Sequence, residues 1–202
     1  MFKNIVFAIA IVLALAITVV LVLATTKPDE FRVERSATLN APAEAVFGLV
    51  NDLSRWPEWS PWEDLDPEMT REFSGAPHGV GAVYSWDGNN EAGAGRMEIL
   101  ESRSPEHVRI QLDFERPMSS SSTTVFDFEP RGRQTRVTWS MQGANPFPFK
   151  VMQVFADMDT MVGRDFERGL AQLEAAAARE PLAEPVQDPA LESVDDAFES
   201  GE

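Results

Sequence analysis

From Ile5 to Ala24 the chain runs for 20 residues without a charged side chain: four Ile, five Val, four Leu, one Phe, five Ala and one Thr. At 1.5 Å per residue a helix of that length reaches about 30 Å, the thickness of a bilayer's hydrocarbon core. Its large aliphatic and aromatic residues favour insertion by about −4 to −8 kcal/mol, an upper value because the per-residue terms hold at mid-bilayer. Val22-Leu23-Ala24 would also serve as the small-residue end of a cleaved leader, but leader cores stop at about 15 apolar residues, and this run is longer. The expectation is a retained single-pass anchor. Lys3 and the terminal amine precede the run while Lys27, Arg32 and Arg35 follow it, so charge does not set the orientation. A short head kept inside is the default for such anchors, which puts the following domain on the extracytoplasmic, periplasmic side.

Everything after the span has to fold outside the bilayer. The division expected is an anchor over 1–26, a domain over 27–180 and a tail over 181–202. The tail carries seven acids, no Lys or Arg, and Pro181, Pro185 and Pro189. That composition predicts solvated chain. With 33 acidic against 17 basic residues the net charge is −16, which repels phosphate backbones and excludes nucleic acid as a partner. There is no cysteine. A disulfide framework and a thiolate metal site are therefore excluded.

Within the domain, Phe31, Val33, Ala37 and Leu39 alternate on one face of a predicted strand. Pro42 then opens a short amphipathic helix carrying Ala43, Val46, Phe47 and Val50. Trp56, Trp59 and Trp62 crowd into a Pro-interrupted loop. The period is then mostly two as far as Asn145, through Tyr84 and Trp86, Met97 and Ile99, Val108 to Phe114, Phe126 and Phe128, and Val137, Trp139 and Met141. With turn residues between the runs, six antiparallel strands joined by hairpins follow the helix. Beyond Pro146-Phe-Pro148, Phe155, Val162, Phe166 and Leu173 fall on one line of a helix expected to continue to about Arg179.

Four strings, Val33 to Phe47, Trp59-Ser-Pro-Trp62, Gly79-Val-Gly-Ala82 and Met158 to Leu170, together resemble the SRPBCC (START-like) superfamily. The nearest likeness is to its polyketide cyclase/dehydrase-type branch, which includes bacterial members with a single N-terminal anchor. The resemblance spans about residues 31–178 and implies an α+β helix-grip fold, a seven-stranded curved antiparallel sheet around a long C-terminal helix. It also implies a cavity between sheet and helix. Members range over lipid carriers, receptors, cyclases and chaperone cofactors, so the likeness leaves the activity open.

A helix about 10 Å across cannot fill a strongly curved sheet, so an apolar-walled pocket is expected. Candidate walls are Trp86, Phe126, Phe128, Trp139 and Met141 from the strands, with Met152, Phe155, Met158 and Val162 from the last helix. Alternating aromatics form ordinary core as readily as they form pockets. Methionine would give a pliable wall.

Asp159 falls inside the apolar stripe of the last helix, and Arg35 shares parity with Val33 and Leu39 on the first strand. A pair between them would resolve both placements. They and Tyr84 are the candidates for acid/base or ligand-orienting work, with a helix-docking ion pair as the plainer role for Arg35 and Asp159. His78 and His107 stand alone near turns, so no metal and no cofactor are expected. The partner expected is a hydrophobic small molecule or lipid, and a cyclase/dehydratase-type enzyme is the alternative.

Overall fold

The computed structural model describes residues 2–180. The expected tail and its acidic run lie outside the described residues. Helix α1 (Phe2–Thr25) is long and apolar enough to cross a membrane, and almost none of it is buried against the rest of the chain. Strand β1 (Glu30–Leu39) follows after four residues, and helix α2 (Ala43–Asn51) buries Ala43, Val46, Phe47, Leu49 and Val50 on one stripe.

Two 3-10 turns, Leu53–Glu58 and Glu63–Leu65, carry the tryptophan loop. Six strands then run in order: β2 (Thr70–Gly75), β3 (Ala82–Asp87), β4 (Ala94–Arg103), β5 (His107–Arg116), β6 (Ser120–Arg131) and β7 (Gln134–Ala144). They form a seven-stranded, fully antiparallel sheet ordered β1-β7-β6-β5-β4-β3-β2. Helix α4 (Met158–Ala177) crosses the concave face and packs chiefly along β1, so the helix-grip arrangement implied by the resemblance is the fold.

The closing helix corrects one expectation. The predicted single helix is two, α3 (Phe147–Met152) and α4, separated by Gln153 to Asp157. Asp157 restarts the helix as its N-cap, its Oδ2 accepting from the Thr160 amide at 3.2 Å and the Thr160 hydroxyl at 2.6 Å. A side-chain acceptor at that position satisfies amides that otherwise have no partner in a first turn.

Antiparallel order gives the sheet two distinct ends. The end where β1 leaves α1 also carries the close of β7, β5 and β3 and the start of β6, β4 and β2, since Glu30 pairs with Ala144, Ala94 with Arg116, and Thr70 with Asp87. At the far end α2 and the last turns of α4 close over the sheet. Leu39, Val46, Leu49, Ile99, Val108, Ile110, Val137, Leu173 and Ala176 are all buried there.

Candidate functional site

The tryptophan loop is built onto α2. Trp56 Nε1 donates to the Val50 carbonyl at 3.0 Å and Trp59 Nε1 to that of Leu49 at 3.2 Å, which satisfies two of the last-turn carbonyls that a helix leaves open. Both indoles are thereby committed to the core. Trp62 is the exception. It stands half-buried, edge-on to Trp139 at 5.5 Å and to Phe166 at 6.2 Å.

Trp139 and Phe166 stack with centroids 4.1 Å apart and planes 6° from parallel. That contact needs Gly169, where a Cβ would lie 2.7 Å from the Trp139 ring. The same relation recurs under Trp86, where a Cβ on Gly95 would lie 2.6 Å from the ring. Glycine is thus used twice to seat an indole against backbone.

Beyond this stack, β3 to β5 curve away from α4 and leave a cavity of about 380 Å³, which is within the range of small-molecule sites. Its apolar wall includes Trp62, Trp86, Leu112, Phe114, Trp139 and Met141. Thr124, Glu63, Tyr84, Asp165 and Arg168 supply the polar groups. The cavity lies toward the α1 end of the sheet. Glu91 and Ala92 from the β3–β4 turn border it, and that turn is held by a hydrogen bond from Trp86 Nε1 to the Ala92 carbonyl at 3.1 Å.

On one wall sits a buried polar group. The Tyr84 hydroxyl donates to Glu63 Oε1 at 2.7 Å, and Arg71 Nε donates to Glu63 Oε2 at 2.7 Å. Arg71 also donates to the Met69 carbonyl at 2.9 Å. Glu63 is the one buried carboxylate among the described residues, and both its oxygens are engaged, as a buried charge requires. Burial first, and then the neighbouring carboxylate, pushes the Tyr84 phenol well above its ordinary value, so it stays a proton donor. The hydrogen bond to Glu63 holds the Arg71 guanidinium protonated.

Arg35 and Asp159 are brought together, outside the cavity. Arg35 Nη1 and Nη2 donate to the two Asp159 carboxylate oxygens at 3.0 and 2.9 Å, Nη2 also donates to the Asp159 carbonyl at 2.9 Å, and Nε donates to Glu167 at 2.9 Å. The hydrogen bond from Arg35 keeps the Asp159 carboxyl below the usual range. With its side chain 53% exposed, Asp159 is on the rim of the helix stripe and is not a buried charge. This fork clamps the first turns of α4 to β1. Gly163 makes room for it, because a Cβ there would lie 2.0 Å from Arg35 Nη2.

The expected wall divides three ways. Trp86, Trp139, Met141 and Val162 line the cavity, as does Tyr84. Phe126 and Phe128 are wholly core, and Met158 packs on the core beside them. Met152 and Phe155 are corrected: both are exposed, because the break at Gln153 to Asp157 removes them from the helix that faces the sheet.

Glu63 and Arg71 are absent from the sequence-based candidates. Glu63 directly follows Trp62, but nothing local marks its carboxylate as buried. Arg71 reaches it from an edge strand with no clean alternation. Trp139 Nε1 is buried with no partner among the described residues.

These features define a helix-grip domain with an apolar cavity and a small hydrogen-bonded polar group on its wall. The chain belongs to the family described as "Polyketide cyclase / dehydrase and lipid transport", whose pattern matches residues 30–178. Among curated proteins it is similar to the ribosome association toxin RatA of Pseudomonas aeruginosa, 57% identical over 30 residues, 15% of this chain and 21% of that protein. The chain thus aligns with only about a fifth of that relative's length.

Among solved structures, it is similar to a Thermobifida fusca protein at 22% identity and a TM-score of 0.55, covering 73% of this chain and 93% of that one. It is also similar to protein CV1439 of Chromobacterium violaceum at 17% identity and a TM-score of 0.53, covering 76% of this chain and 100% of that one. At these identities the likeness is one of fold.

Proposed function

We propose that this chain is a membrane-tethered binding protein whose cavity holds a lipid or other hydrophobic small molecule. In this reading residues 1–26 anchor it, residues 27–180 form the domain on the extracytoplasmic side, and 181–202 are a tail. The observation that carries the reading is the cavity of about 380 Å³ whose wall is predominantly aromatic and aliphatic, with few polar groups. The family's own description includes lipid transport, which agrees with it. A tether adds a kinetic and energetic reason. A domain fixed beside a bilayer meets lipophilic ligands at high effective concentration, so a weak site can be filled.

The test compares the detergent-solubilised full chain with a Leu112→Trp variant that fills the cavity, extracting each with organic solvent for mass spectrometry. A species present in the parent and missing from the variant is the expected result. The same species in both would mean that it rides on α1, and the reading fails.

The Tyr84–Glu63–Arg71 group favours a second reading, a cyclase/dehydratase-type enzyme. The Tyr84 hydroxyl gives its one proton to Glu63, so its oxygen can accept a proton from a ligand hydroxyl while the carboxylate takes the phenol's own. Tyr84→Phe separates the two: it abolishes turnover in an enzyme, while in a carrier the ligand still co-purifies and no conversion is lost.

A further inference from the structure

Outside α1, large apolar side chains exposed to solvent are scarce and unevenly placed. Phe73, Val80, Leu100 and Met118 stand singly on different strands and turns, whereas Phe147, Met152, Phe155 and Met161 fall together between the close of β7 and the first turn of α4. Phe155 is 75% exposed and Met161 59%. Such a cluster in one short segment marks an interaction surface rather than ordinary scatter.

Where the segment sits identifies its partner. Helix α3 packs against α1, and Ala24, in the last turn of α1, is buried. The linker and α3 are further locked together. Asn145 donates its amide to the Asp29 carbonyl at 2.7 Å and Nδ2 to the Pro28 carbonyl at 2.9 Å, and Lys150 pairs with Asp29. Only four residues lie between Ala24 and Asp29. Even extended they reach less than about 20 Å, and the contact between α1 and α3 is closer than that. The apolar segment therefore stands where an emerging transmembrane helix meets the headgroups.

We infer that Phe147 to Met161 is an interfacial element that inserts Met152, Phe155 and Met161 into the surface of the bilayer that α1 spans. The inference rests on the anchoring proposed above. The chain's strong negative charge gives no attraction to anionic lipid, so the contact is apolar and persists on neutral membranes at high salt. The element fixes the domain's orientation: the sheet end that carries the cavity turns toward the lipid from which a ligand would come.

The absence of cysteine makes the test direct. Single-cysteine variants Phe155→Cys, Met161→Cys, Leu13→Cys and Arg133→Cys of the full chain, labelled with a polarity-sensitive dye, are reconstituted in phosphatidylcholine vesicles. Quenching is read with lipids carrying a spin label high or low on the acyl chain. The expected result is strong quenching of positions 155 and 161 by the shallow label, of position 13 by the deep label, and of position 133 by neither, unchanged by molar salt.

If position 13 is quenched while 155 and 161 behave like 133, the interfacial element is overturned and the anchor stands. The same holds if 155 is shielded from aqueous iodide but untouched by spin-labelled lipid, which would assign the surface to a second copy of the chain. If position 13 is not quenched, the anchor fails and this inference fails with it.

Discussion

The two ends of the sheet–helix sandwich are built from the same fold and differ in how well they are filled. At the end far from α1, inward residues such as Ile99, Val108, Ile110 and Leu173 are fully buried, and α2, the tryptophan loop and α4 all press on the sheet. At the α1 end, the same strands present Trp86, Leu112, Phe114 and Met141 only half-buried around an empty volume. Along β5 the change comes within one strand, between Ile110 and Leu112. One end supplies stability, and the other gives up packing for a cavity.

The difference is tested most strongly by deleting one ring from each end. Phe126 is fully buried and its centroid lies 4.7 Å from Trp139 and about equally far from Trp56 and Trp59, at 6.1 and 6.0 Å. Phe126→Ala should cost about 3–5 kcal/mol, because such a closed site cannot collapse around the void. Phe114 already borders the cavity and touches chiefly Trp86, at 5.7 Å. Phe114→Ala enlarges an existing space and should cost about 1 kcal/mol, the value of the apolar area it had removed from water. Thermal unfolding of both variants decides it, and equal losses would break the distinction between the ends.

What the sequence could reveal follows the same division. Period-two alternation from Tyr84 to Met141 specifies strands and their inward faces, since a half-buried strand has no other way to sort its side chains. It does not distinguish an inward residue that meets another side chain from one that meets a void. Phe128 and Trp139 therefore look alike in the sequence, although one is core and the other walls the cavity.

The break before Asp157 was legible in principle as an Asp-x-x-Thr cap, but the apolar spacing of Phe155 and Val162 reads through it. Glu63 could not be found at all. Its burial is created by β3 and β2 arriving from later in the chain.

A smaller test concerns how the first turns of α4 are held beside the cavity. Arg35, with both Asp159 and Glu167 as partners, is a forked but partly exposed clamp worth about 1 kcal/mol. Gly163→Ala would force the guanidinium out, yet replacing a glycine within a helix gains about 0.8–1 kcal/mol. The two effects nearly cancel in the parent chain. In an Arg35→Ala background the clamp is already gone, so the same glycine substitution should stabilise by about 1 kcal/mol. A double-mutant cycle by thermal unfolding reads this difference, from about zero in the parent to a gain in the Arg35→Ala background. Additive behaviour would mean that Arg35 does not depend on the glycine.

The least disruptive measurement sits at the seam between the two ends. Tyr84 lies on β3 between buried Ala82 and half-buried Trp86, and it is the only tyrosine in the chain, so its ionisation can be followed by tyrosinate absorbance without any mutation. Burial and Glu63 both oppose the phenolate, raising the folded value above the ordinary 10.0. The unfolded chain therefore releases this proton at a lower pH than the folded one. The associated stability is complete below pH 10 and is lost progressively as pH rises above that value toward the folded one.

In the native protein the tyrosinate signal should be nearly absent at pH 10 and should emerge only at higher pH or on alkaline unfolding. In denaturant the same group should be half ionised near pH 10. A ligand that occupies the cavity should delay the native signal further, because it excludes water from the phenol. A native titration at the ordinary value would show water reaching Tyr84 freely, and the boundary between packed core and cavity would then have to be moved past β3 toward the far end.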